Sequence, residues 1–98
     1  MAKAYWVTTY RSITNPDALA AYAKLAGPAV AASGGKFLIR GMPVEAWEAG
    51  VKQRTVVVEF PDLKTALAAH GTPGYQAALK ALGTGAVVRD MRVVEGAE

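Results

Sequence analysis

His70 is the single histidine in 98 residues and the one side chain whose ordinary pKa lies near neutrality, so proton transfer at physiological pH would run through it first. It closes a helical stretch over 62–70. Directly after it, Gly71-Thr72-Pro73-Gly74 forbids continuous packing, which makes this break the natural place for a pocket. The competing reading of His70 is a helix C-terminal residue favoured by the dipole and partly solvated. Arg40 and Glu59 form a second constellation. A turn centred on Ala49-Gly50 sets Arg40 opposite Glu59 and Glu45 opposite Arg54, two opposite-charge cross-strand pairs from one register. A guanidinium binds carboxylates bidentately, so Arg40 oriented by Glu59 suits a small acidic or polar ligand, whereas a plain cross-strand contact would explain the pair equally well. Tyr5, Trp6, Tyr10, Tyr22, Trp47 and Tyr75 supply aromatic walls with polar tips, the lining of a small-molecule pocket or the filling of a dimer interface. The candidate ligand-binding residues are therefore His70, Arg40, Glu59 and Tyr75. They would meet between the sheet and the two helices that join around Gly71, where Ala66, Ala69, Ala77 and Ala78 leave room.

Other chemistries find no foothold. The chain has no cysteine, which removes disulfides, thiolate catalysis and Cys/His zinc sites, and one histidine leaves little for another metal. Ser33, Thr65 and Thr72 have no base at the spacing nucleophilic catalysis requires. Gly34-Gly35 ends a helix instead of starting one, so it is no phosphate loop. Glu45 and Glu48 are three apart on an expected strand and fall on opposite faces. No reaction type is indicated, and no metal or cofactor is expected. The net charge of +3, from 11 Lys and Arg against 8 Asp and Glu, is scattered, unlike the clustered stripe that phosphate backbones need, so nucleic acid is not an expected partner. The opening residues lack the apolar core of a secretion signal, and no stretch approaches the roughly 18 apolar residues of a membrane span. The expectation is a soluble, cytoplasmic protein with no membrane partner.

The elements that must position these residues read clearly. Ninety-eight residues make one domain. Residues 3–12 are β-branched and aromatic without a helical period, a strand buried on both faces. Asn15-Pro16-Asp17 starts a helix over 16–33: Asn15 caps, Pro16 has the φ of the first position, and Asp17 meets the positive dipole end. Gly27-Pro28 should interrupt it with a kink near 24–28. Ser33-Gly34-Gly35 ends it. Strands follow over 36–47 and 52–60, with Gly41 and Pro43 as a source of a bulge. Asp62 caps a helix to residue 70, Thr72-Pro73 opens another to 82, and residues 86–95 form the last strand. The fold class is α+β: a ferredoxin-like β-α-β-β-α-β arrangement with a four-stranded antiparallel sheet and helices on one face.

The helices cover one sheet face, so the other needs a cover, and at 52% hydrophobic the chain is apolar for its size. Two copies packing sheet against sheet would supply it. The set Ala4-Tyr5-Trp6, Asn15-Pro16, Gly34-Gly35-Lys36-Phe37-Leu38 with Arg40-Gly41, Val57-Val58-Glu59-Phe60-Pro61 and Pro73-Gly74-Tyr75-Gln76-Ala77 resembles the domain-of-unknown-function family 1330, within the dimeric α/β-barrel superfamily. The resemblance spans nearly the whole chain and implies a homodimer with facing sheets and no established substrate. Where an aromatic pair and an acidic residue are usual in the family, this chain has Ala69, His70 and Gly74. Two functions stay open on this reading: a homodimer binding a small molecule between sheet and helices, or a noncatalytic structural or regulatory dimer without a ligand. Relatives across the wider superfamily add, by fold analogy, a cofactor-independent monooxygenase or isomerase.

Overall fold

The structure, a computed structural model, describes residues 2–97. Its elements are β1 (Ala4–Ile13), α1 (Pro16–Ala32), β2 (Lys36–Gly41), β3 (Thr55–Phe60), α2 (Leu63–His70), α3 (Pro73–Leu82) and β4 (Val87–Glu95). The strands form one sheet in the order β2-β3-β1-β4 with every neighbour antiparallel. This is the expected ferredoxin-like α+β fold, with two short helices in its second crossover.

Local chemistry starts each helix as the sequence implies. Asn15 Oδ1 accepts from Ala18 N at 3.1 Å, Asp62 Oδ1 from Thr65 N at 2.7 Å, and Thr72 Oγ1 from Tyr75 N at 3.3 Å. Each bond satisfies an amide the helix itself cannot. α1 leaves through Gly34, whose φ of 93° favours glycine, and Gly35 follows with no room for a side chain. A Cβ at Gly35 would stand 2.5 Å from Val30 Cγ1 and 2.9 Å from Val58 Cγ1. That close approach seats the end of α1 on the sheet.

β1 alternates. Ala4, Trp6, Thr8 and Tyr10 are buried beneath the helices, together with Val58 and Phe60 of β3. Ala26, Val30, Ala66, Ala69, Tyr75 and Ala78 come down from the helices to complete the core. The alanines let helix backbones approach the sheet closely, and α1 packs along α3 while α2 rests on β1, β3 and β4. The opposite face has no such layer. There Tyr5, Val7 and Val57 are half-buried and Thr9, Ile39 and Val94 are exposed, so β1 buries one face in the single chain, not the two its composition suggested.

Three expectations are corrected. β2 ends at Gly41 instead of residue 47 and β3 begins at Thr55 instead of 52, because Pro43 has no N–H for a ladder and the chain turns where Gly50 N donates to Trp47 O. The long connection changes the register. Glu59 pairs with Lys36, and Arg40 with Val56, with the shift lying between Phe37 and Ile39 and not at Gly41 or Pro43. Arg40 and Glu59 are thereby on opposite faces of the sheet, and Arg54 meets not Glu45 but Tyr10, whose N donates to the Arg54 carbonyl at 3.0 Å. Finally, α1 runs through Gly27-Pro28 unbroken to Ala32. Lys24 and Pro28 are both exposed, so water can reach the carbonyl that Pro28 leaves without a donor, and burial of Ala26 and Val30 offsets the lost bond.

Candidate functional site

The register that separates Arg40 from Glu59 gathers a different set. Antiparallel pairing puts Arg40 beside Val56 and Arg89 beside Tyr10, all on the helix-facing side, and Arg54 enters the same space from the start of β3. Above them, α1 presents Ala23, Ala26 and Gly27, too small to fill the distance to the sheet. What results is a narrow cleft, open to solvent at its mouth, whose enclosed space is about 40 Å³. Trp6, Val30, Phe37, Val56 and Val58 form its apolar walls.

Its polar groups are connected. Arg89 Nη1 donates to Tyr10 Oη at 3.0 Å and to Tyr22 Oη at 3.2 Å, and the Tyr22 and Tyr75 hydroxyls are 2.7 Å apart. The Arg89 guanidinium also lies 4.8 Å from the Tyr22 ring centre, within cation–π range. Burial disfavours charge on Arg89, yet the attraction and hydrogen bonding of Tyr22, helped by Tyr10 and Tyr75, outweigh it and raise its pKa further. The side chain is a permanent cation. Burial, then the neighbouring Tyr22 oxygen, pushes the Tyr75 phenol up, so it stays neutral and works as a hydrogen-bonding group, not as a base. Arg40 stacks over Phe37 at 4.6 Å, and Arg54 stands 5.9 Å from the Tyr10 ring centre with its buried Nε unpartnered among the described residues.

Of the four sequence candidates, Arg40 and Tyr75 line this cleft and His70 and Glu59 do not. Glu59 faces the open side of the sheet, accepting from Lys3 Nζ and Tyr5 Oη at 3.3 Å each. His70 is exposed at the end of α2, its ring 5.1 Å from that of Tyr75 and 6.0 Å from that of Trp6. The expected gap at Gly71 is closed by Trp6, whose Nε1 donates to Ala66 O at 2.9 Å and whose ring packs on Tyr75 at 5.0 Å. This cleft lies under α1, whereas the expected site was between the sheet and the two helices that meet around Gly71. Sequence reasoning missed Arg54 and Arg89. For Arg89 the signal was strand parity: it shares a face with Met91 and Val93, an inward position where a charge is costly unless used.

Among the described residues no group of three or more His, Cys, Asp or Glu could hold a metal, and no helix is long and apolar enough to cross a membrane. The strand order and the one-sided helical layer define a ferredoxin-like α+β domain, and solved structures share it. A protein of unknown function from Rhodopseudomonas palustris superposes with a TM-score of 0.75 at 17% identity, covering 99% of this chain and 84% of that one. A cofactor-independent oxygenase from Streptomyces nogalater gives 0.63 at 14% identity, covering 100% and 96%. A dimeric ferredoxin-like protein of unknown function from Thermobifida fusca gives 0.56 at 15% identity, covering 97% and 92%. At such identities the likeness is one of fold. No curated protein matches the sequence. The chain itself belongs to the domain of unknown function family DUF1330, whose profile matches residues 3–97.

Proposed function

We propose that this protein is a small-molecule-binding domain that works as a cytoplasmic homodimer, with its ligand held in the cleft between the sheet and α1. The observation that carries the reading is an unfilled, apolar-walled space into which three arginines and three tyrosines converge, the usual composition of a site where a few polar groups orient a mostly apolar ligand. Binding is favoured over catalysis because, among the described residues, the cleft wall holds no Asp, Glu or His to move a proton, and its Tyr75 is held neutral. The likeness to a cofactor-independent oxygenase is one of fold and supplies no base of its own. The dimer is supported by the half-covered sheet face and by exposed Val44 and Trp47 on the 42–54 connection, apolar groups that a second copy would shield. The compartment rests on the amino-acid sequence alone.

A thermal-shift screen of wild type and Gly27→Leu against a metabolite library tests the site. A Cβ at Gly27 meets nothing within 4 Å, so the new side chain fits the fold while occupying the mouth of the cleft. The expected result is one or more compounds that stabilise wild type by about 2.7 kcal/mol at 100 times their Kd and leave Gly27→Leu unshifted. Hits that stabilise both proteins equally would put binding elsewhere.

A further inference from the structure

We infer that the cleft is built for a small organic anion, a carboxylate carried on a short apolar body; this rests on the reading of the cleft as a ligand site and names the ligand's chemistry. Arg40, Arg54 and Arg89 bring three permanent positive charges to one wall, and among the described residues no Asp or Glu lines it. None of the three forms an ion pair among the described residues, whose salt bridges are Lys3 with Glu59 and Arg92 with Asp90, both outside the cleft. A structural arginine that is half-buried ordinarily finds a carboxylate inside the fold. Here the guanidiniums of Arg54 and Arg89 instead both lie near one aromatic ring, 5.9 and 5.6 Å from the centre of Tyr10. An anion bound beside them would relieve their mutual repulsion.

The hydrogen-bond inventory points the same way. Arg54 Nε is a buried donor with no acceptor among the described residues, and the Tyr10 oxygen already accepts from Arg89, which leaves its own proton to give. Tyr22 and Tyr75 share one hydrogen bond, which leaves one of their two protons to give as well. The cleft therefore offers unmet donors and positive charge, and a carboxylate, acceptor-only when ionised and matched to the guanidinium fork, answers both. The remaining wall, Trp6, Val30, Phe37, Val56 and Val58, asks for an apolar body. The narrow gap under Ala26 and Gly27 restricts that body to something flat or slender.

The test is titration calorimetry on the whole chain with propionate and butyrate, each beside its neutral amide, and with inorganic phosphate. Wild type should bind the acids at least about tenfold more tightly than the amides, and Arg54→Gln and Arg40→Gln should each remove most of that preference while leaving the circular dichroism unchanged. Arg40 is exposed and Arg54 is at the edge of the core, so both variants should fold where a change at Arg89 endangers the Tyr10 and Tyr22 bonds. Amides binding as tightly as acids would overturn the anion inference and leave the ligand site standing. Equal binding of acids by wild type and both variants would also overturn it, as would phosphate binding as tightly as either acid. If neither acids nor amides bind, the inference and the cleft reading fall together.

Discussion

At the scale of single residues, contact geometry separates positions that look alike in the sequence. Gly34 and Gly35 are adjacent, yet only Gly35 is pressed against Val30, Val58 and Phe60, with the nearest approach of an added Cβ at 2.5 Å. Replacing Gly35 with Ala is expected to cost about 1 to 3 kcal/mol or more, because three core side chains would have to move, and urea denaturation measures it. An unchanged midpoint would mean that α1 can lift off the sheet without penalty. Arg40 and Glu59 are the converse case, charges that look paired and are not. A double-mutant cycle on Arg40→Ala and Glu59→Ala should give a coupling within about 0.5 kcal/mol of zero, since the sheet lies between them. A coupling well above that would restore the cross-strand pair.

At the scale of elements, the caps explain why three helices form from short and alanine-rich segments. α2 has eight residues, too few to be stable alone, and depends on Asp62 at its start and on burial of Ala66 and Ala69. The backbone amide of Thr65, then its side chain, holds the Asp62 carboxyl below its ordinary 3.8. A group whose folded pKa is depressed stabilises the fold above its unfolded pKa, and that contribution is lost as pH falls through the folded value. Stability from this cap should therefore be full at neutral pH and decline below about pH 4. Asn caps nearly as well without titrating, so Asp62→Asn should match wild type at pH 7 and show a shallower acid limb in denaturation midpoints read at descending pH. Parallel acid limbs for the two proteins would take Asp62 out of the acid response.

At the scale of the whole molecule, the Cα trace is 17 Å in its shortest dimension, a sheet with one helical layer, and the bare sheet face is the surface a second copy would cover. Sedimentation velocity at micromolar concentration is expected to give a species of twice 10.2 kDa. Val57→Lys, which places a charge at the centre of the open face without touching the core, should dissociate it while preserving the helical signal. A wild-type monomer would require Ile39, Val94 and their neighbours to remain in water. A dimer untouched by Val57→Lys would move the interface to the 42–54 connection.

Features that depend on neighbours along the chain were legible before any fold. Asn15-Pro16, Asp62 and Thr72-Pro73 start helices because capping is settled within three or four residues, and the β-branched and aromatic run of residues 4–10 gives a strand, though which of its faces is buried was not legible there. The ferredoxin-like order follows from those elements, with the resemblance to the family carried by the same segments. What the tertiary structure decided is which of these meet. A connection over residues 42–54 in place of a tight turn displaced the β2–β3 register, and because side chains alternate, that displacement carried Arg40 to the face opposite Glu59. The cleft's arginines come from three strands or strand ends remote in sequence, and its space comes from small residues on α1 whose effect depends on what lies beneath them. His70 was singled out for its intrinsic pKa, a property of the residue type; its place outside the cleft depends on Trp6 filling the Gly71 break, a contact between residues 60 or more positions apart.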